Sequence, residues 1–257
     1  MKTLLVLLAL LPLPSFAATL NDTCLGSNDA SGTTLTCADA LSVTDGDLVV
    51  CGTKWEGATT TRTVDTGAAS PTFTSANDVL HHAANNDLNG ETSYWIATST
   101  TTVTPRVVLA AARAFRKLKC YSFTPSGGNT LELGNVAASQ ETAVELPSAG
   151  SAASTAAGVT VVYFHLYGAE ALTVGAAGCN SGAWSEAAEF NITDAQVTQY
   201  CLQSSAQTLT GAGDFGGGAE DSVGQLAIFN EAAVGGGGAV VNPITGRGGA
   251  AAQPVVH

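Results

Sequence analysis

The chain has 257 residues, 45% of them hydrophobic and only 12% charged, with a formal net charge of −12. That length holds one large domain with a real core or two small ones, and Ser, Thr, Gly and Ala stand where about a quarter of an average soluble domain would be charged. The negative balance excludes non-specific nucleic-acid binding, which needs a basic surface to neutralise phosphates, and it opposes electrostatic docking on anionic lipid.

Residues 1–17 read as a targeting segment. Met1-Lys2 is a short charged start, "TLLVLLALLPLP" is the apolar stretch, and Ser15-Phe16-Ala17 offers small residues at a cleavage site, here placed after Ala17. An uncleaved anchor is the alternative, but the apolar run is short for a span and contains Pro12 and Pro14. The mature chain is therefore expected to be secreted, extracellular or periplasmic, with no membrane insertion after cleavage. Residues 18–44, polar with Gly and Asn, read as an irregular lead-in.

In "DGDLVVCGTKWEG", Val49, Cys51 and Trp55 share one parity and Leu48 and Val50 the other. A strand apolar on both parities is covered on both faces. "TRTVDT" and "SPTFTS" predict two short strands around a turn, and Tyr94–Ala97 and Val107–Ala111 two more. The next stretch, "AAARAFRKLKCYSFTP", mixes helix formers with a strand-like end. A strand is expected for Lys117–Phe123, and the residues before it stay open between helix and strand. Residues 134–158, rich in Ala, Ser and Gly, read as a long surface connection or partly disordered insert.

"GVTVVYFHLYG", Gly158 to Gly168, is the clearest strand. Val162, Phe164 and Leu166 lie on one face, and Val161, Tyr163, His165 and Tyr167 on the other. "AQVTQYCLQSSAQTLT" supplies another strand or two. "DSVGQLAIFNEA" is the last, with Leu226 and Ile228 opposite Val223, Ala227 and Phe229. Residues 234–257 lack a sustained period and read as a Gly/Ala-rich flexible tail. Many short strands, turn glycines and little helix predict an all-β fold, a β-sandwich or jelly roll of two antiparallel sheets over residues 45–233, with a barrel as the structural alternative.

Six cysteines in an exported chain read as disulfides. Metal binding is the rival reading, but no CxxC or paired Cys/His spacing supports it. Sequence cannot choose among the possible pairings. Neighbour pairing is the expectation adopted: Cys24–Cys37, Cys51–Cys120 and Cys179–Cys201. Asn21 and Asn191 head N-x-T sequons, which would mark accessible loops in a glycosylating host.

The order "GDLVVCGTKWEG", "TVDT…TFT", "SYWIA…VTPRVVLAA", "FRKLKCYSF" and "DSVGQLAIFNEA" resembles a group of exported and phage-associated bacterial β-sandwich domains over about residues 45–233. The resemblance implies a jelly-roll-like sandwich on a secreted or surface protein. It brings no shared catalytic residues and no support for a disulfide scheme.

The stripe Tyr163, His165 and Tyr167 is the first binding candidate. Rings on one strand face can stack on sugars and hydrogen-bond through their tips, unless that face packs under another layer. Trp55, Trp95 and Trp184 could add to such a surface, although tryptophans near strand ends commonly plug cores. Asp87, Asn89 and Glu91 could donate oxygens to a structural calcium ion. The EF-hand spacing begun by Asn85 fails, because Ile96 stands where the bidentate acid belongs, and a plain Asn/Gly turn explains the same residues. His81 and His82 are adjacent, so a strand sends their rings to opposite faces.

The basic residues Arg106, Arg113, Arg116, Lys117 and Lys119 could form an anionic-glycan patch or simply pair with carboxylates. No GxSxG, HExxH or P-loop pattern occurs. A glycosidase would need two facing carboxylates, for which Glu170, Glu186, Glu189, Asp194, Glu220 and Asp221 are available. The chain is thus expected to be a non-catalytic, adhesive or carbohydrate-binding surface module without a cofactor, its partner a glycan or cell-surface polymer. A secreted polysaccharide hydrolase and a structural component of an extracellular filament or virion are the alternatives.

Overall fold

The computed structural model describes residues 18–67, 71–82, 87–167, 173–174, 179, 184–189, 196–214 and 219–233. Every regular element among them is a strand. In chain order these are β1 (Thr19–Asn28), β2 (Gly32–Thr36), β3 (Leu41–Val43), β4 (Leu48–Glu56), β5 (Arg62–Asp65) and β6 (Thr74–His82). There follow β7 (Leu88–Ile96), β8 (Thr101–Val103), β9 (Arg106–Thr124), β10 (Asn129–Val144), β11 (Ser148–Ala153) and β12 (Gly158–Tyr167). The last are β13 (Thr173–Val174), β14 (Ser185–Glu189), β15 (Gln196–Gln203), β16 (Thr208–Asp214) and β17 (Glu220–Ala233). The targeting segment 1–17, the tail 234–257 and Asn191 lie outside the described residues.

Two antiparallel sheets form the sandwich. One runs β1-β9-β4-β7-β6, with β2 and β5 also pairing β9, and the other runs β10-β17-β12-β15-β14. Two small sheets, β11-β16-β13 and β3-β8, accompany them. The parity of β4 explains the layering. Leu48 and Val50 face the second sheet and share a core with Val159, Val161, Tyr163 and Phe229. Val49, Cys51 and Trp55 face the other way, into a core with Leu35, Val64 and Val107. In the second sheet β12 repeats the pattern. Its Val162, Phe164 and Leu166 join Ala149, Leu209, Leu226 and Ile228 in a third core on the outer side. Each fully buried aliphatic or Phe side chain stabilises the fold by roughly 1.5–3 kcal/mol relative to exposure.

Several segments are more regular than their composition suggests. The lead-in 18–44 forms β1, β2 and β3. The stretch left open before Lys117 belongs to one 19-residue strand, β9. Its Ala-rich half is strand because β2 and β5 pair with it, so the ladders override helix propensity. Phe115 has a φ of 48° and lies close to register shifts in the β2 and β4 ladders. The expected connection 134–158 holds most of β10 and all of β11. β10 is held by its antiparallel ladder with β17, which small side chains do not prevent.

The thiols pair as Cys24–Cys37, Cys51–Cys120 and Cys179–Cys201, which is the neighbour scheme. Cys51 and Cys120 face each other across the β4–β9 ladder. They are 69 residues apart, against 13 and 22 for the other pairs. Loop-closure entropy then ranks the bridges: replacing Cys51 and Cys120 together by Ala is expected to cost about 4 kcal/mol, and each other pair about 3 kcal/mol. Urea midpoints of the three double variants check the order. Among the described residues no helix is long and apolar enough to cross a membrane.

Candidate ligand groove

The Tyr163/His165/Tyr167 stripe is not an open face. Tyr163 and His165 are fully buried, and Tyr167 alone is exposed, at 38%. The reason is parity: the side of β12 that carries these rings faces the first sheet. Two strand-interior glycines make room for them, since a Cβ at Gly52 would strike the Tyr163 ring and one at Gly90 the His165 ring. The Tyr163 hydroxyl donates to Val50 O at 3.2 Å, and burial, then Tyr121, raises its pKa. Further polar ties join the sheets here. Gln196 Nε2 donates to Gly52 O at 3.0 Å, Gln225 Nε2 to Gly90 O at 3.2 Å, and the Tyr121 and Thr198 hydroxyls hydrogen-bond each other. Burial first, then the charge of Lys54, pushes the His165 pKa down to about 3, with Gln225 opposing. Its imidazole is neutral at neutral pH and aimed into the protein, so the stripe holds the sandwich together.

Nor do Asp87, Asn89 and Glu91 form an oxygen cage. Both Glu91 oxygens accept from Arg62, at 2.6 and 2.7 Å. Asn89 Nδ2 donates to Gly57 O and Asp87 O, and its Oδ1 meets His81 Nδ1 at 2.9 Å. Asp87, with φ 52°, lies 3.5 Å from His81 Nε2. Asn89 and Glu91 lie on β7, Asp87 directly precedes it, and these side chains are engaged by neighbouring protein groups. His82 points elsewhere, to Thr142 Oγ1 at 2.9 Å. Among the described residues the only cluster of three or more metal-capable side chains is Cys24, Cys37 and Cys120, and all three are in disulfides.

The basic residues of β9 make no free patch. Arg106 bonds Asp65 at 2.6 Å. Burial alone would raise the Asp65 pKa, but the Arg106 hydrogen bond, the Gly67 N–H and the Arg106 charge together hold it below the usual value. Lys117 reaches Asp29 at 2.6 Å, Arg113 donates to Ala58 O and Arg116 to Ala30 O and Thr34 O. Lys119 lies over the Tyr121 ring, and burial lowers its pKa to about 8 against the pull of Asp22.

Of the acidic residues considered for hydrolysis, Asp221 is buried and accepts the Ala143 N–H at 2.9 Å. The side chains of Glu170, Glu186, Glu189, Asp194 and Glu220 lie outside the described ones. Asn21 sits on β1 at a bulge rather than in a loop. Its exposed amide donates to Asp47 Oδ2 at 2.9 Å and Ser42 O at 3.1 Å.

A different concavity is open. Where β7 ends, Ala97 N–H donates to Asp47 O and Gly46 N–H to Ala97 O, and the chain bends through residues 98–100 into β8. This turn and the stretch after β5 enclose a groove of about 620 Å³. Trp95 lines it, half-buried against the first core and 6.0 Å from the Phe73 ring. Thr66, Thr98, Ser99, Thr101 and Thr102 line its walls, and among the described residues no charged side chain does. Trp55 and Trp184, by contrast, are buried. The sequence signal for this site was the run "TSTTTVT", separated from Trp95 by two residues, whose place in a groove shows only with the stretch after β5 opposite it. An indole surrounded by hydroxyls can stack an apolar ring face and exchange hydrogen bonds with its rim.

Fold and groove together define an all-β sandwich stapled by disulfides, with an uncharged, hydroxyl-lined concavity at the β7–β8 turn. No protein-family model matches the chain, and no curated protein or solved structure matches it.

Proposed function

We propose that the protein is an exported, non-catalytic binding module that takes a neutral glycan in the Trp95 groove. The observation that carries this is the pairing of a half-buried indole with threonine and serine hydroxyls in a groove that no charged side chain lines among the described residues. A sugar presents the complementary surface, an apolar ring face edged by hydroxyls. Export is supported by the apolar N-terminal stretch and by three disulfides, which persist in oxidising compartments. The anionic chain would repel acidic polymers, which favours a neutral ligand.

A glycan array and a polysaccharide pull-down test the reading. Wild-type protein is expected to retain neutral glycans, and Trp95→Ala to bind at least about tenfold more weakly, a loss of about 1.4 kcal/mol. Trp95→Phe should keep part of the affinity because it keeps a ring. Tyr167→Ala, away from the groove, should bind as wild type. Undiminished binding by a folded Trp95→Ala protein, or no neutral glycan retained by the wild type, overturns the assignment.

A further inference from the structure

Two of the three disulfides share one pocket of the first core. Cys24, Cys51 and Cys120 stand at directly opposed positions on the adjacent strands β1, β9 and β4, with Cys120 in the middle. The sulfurs of Cys24, Cys37 and Cys120 all lie within 4.8 Å of one another, although Cys120 is bonded to Cys51 and Cys24 to Cys37. Exposure is graded along the row. Cys37 is 4% exposed and Cys24 2%, while Cys51 and Cys120 are sealed. The ladder makes the two neighbours of Cys120 near-equivalent. Its pair with Cys51, at a Cα–Cα distance of 4.1 Å, is the narrow, non-hydrogen-bonded kind. In an antiparallel sheet the opposite neighbour, Cys24, is then the wider hydrogen-bonded partner at about 5.5 Å. That spacing falls inside the range of about 4.4–6.8 Å that disulfides span.

We propose that Cys24, Cys37, Cys51 and Cys120 form a thiol–disulfide exchange centre in which Cys120 passes between Cys51 and Cys24, with a dithiol reductant as its co-reactant. In the first step the dithiol gives two electrons to the outer Cys24–Cys37 bond and becomes a cyclic disulfide. Cys24 and Cys37 are left as thiols. In the second step the Cys24 thiolate attacks Cys120 Sγ. The Cys24–Cys120 bond forms, the Cys51–Cys120 bond breaks, and Cys51 leaves as a thiolate that takes up a proton. No further electrons move. The outer pair thereby gives the sealed inner pair a route to a reductant that cannot reach it directly. The covalent tie shifts from β4–β9 to β1–β9, and Cys37, at the end of β2, is released. Cys179–Cys201 belongs to a different core and takes no part.

The full-length exported protein carrying Cys37→Ser tests this without added reductant, because Cys24 is then a free thiol beside the inner disulfide. The material is quenched in acid, alkylated, and mapped by mass spectrometry. The expected result is two isomers, Cys51–Cys120 and Cys24–Cys120, with populations within about tenfold of each other. A folded variant with only Cys51–Cys120 and fully alkylated Cys24 overturns the proposal. Should the variant not fold, wild-type protein under limiting dithiol gives the same readout. Singly reduced molecules are expected as both isomers within about tenfold of each other, one with Cys51–Cys120 and alkylated Cys24 and Cys37, the other with Cys24–Cys120 and alkylated Cys37 and Cys51. A singly reduced population in which Cys51–Cys120 is the sole remaining link among these four cysteines, or links that recruit Cys179 or Cys201 through unfolding, count against it.

Discussion

Gly52→Ala is expected to destabilise the protein by more than about 3 kcal/mol or to prevent folding, although alanine is usually the better strand residue. The sign is decided by one contact. A Cβ at Gly52 points between the sheets and collides with the Tyr163 ring. The ring cannot move aside. It is fully buried, its hydroxyl is tied to Val50 O, and it is flanked by Tyr121 at 6.3 Å and by the His165 ring stacked at 6.3 Å. The methyl must therefore spread the sheets at the centre of the shared core. Tyr163→Val should also destabilise, by about 3 kcal/mol or more, because it empties the space above Gly52 and removes the hydrogen bond. In the double variant the alanine methyl occupies part of that space, so the two costs are expected not to add. A coupling of about 1–3 kcal/mol in favour of the double variant is expected from urea denaturation. A Gly52→Ala protein as stable as wild type, or strict additivity, would show that the ring does not rest on the glycine.

The same contact shows where sequence reading stops. Parity in "GDLVVCGTKWEG" revealed that β4 is covered on both faces, because Leu48 and Val50 are as apolar as Val49 and Cys51. β12 has the same character, with Val161 and Tyr163 on one face and Val162 and Phe164 on the other. Parity tells which side chains share a face. It does not tell whether that face meets water or a second sheet, and Tyr163 and His165 carry polar tips that suit either. The deciding signal lay elsewhere in the chain. Gly52 and Gly90 are glycines inside strands, and such positions often mark close approach of another element. Nothing local links them to residues more than 70 positions away. β10 and the first half of β9 were obscure for a related reason. Their small and helix-favouring residues are strand only because long-range ladders hold them. Oxidised thiols were legible from an even cysteine count behind a targeting segment, but the sequence could not choose their pairing, and the convergence of two bridges on one pocket was hidden. It depends on register between β1, β9 and β4. The Trp95 groove depends likewise on the stretch after β5 meeting the β7–β8 turn.

Acidification is expected to weaken the fold steeply before most carboxylates titrate, and His165 is the reason. Its pKa is about 3 in the folded protein against 6.5 for a free imidazole, through burial first and the nearby Lys54 charge second. Above pH 6.5 the ring is neutral in both states and the folded state bears no penalty. As pH falls from 6.5 towards 3, the unfolded chain takes up a proton that the folded protein refuses, so stability is lost across that window. The slope approaches about 1.4 kcal/mol per pH unit, and the total is on the order of a few kcal/mol. Asp65 acts in the same direction further down, since its lowered pKa means its contribution is lost as pH falls through the folded value. Urea midpoints measured from pH 7 to pH 4 should fall progressively for the wild type and much less for His165→Gln, whose amide cannot be protonated. In the folded wild type the ring-proton resonances of His165 should stay unchanged across the same range. A normal imidazole titration near pH 6.5, or equal slopes for the two proteins, would mean that water reaches the interior between Gly90 and Gln196, and that the two sheets are not sealed at that end.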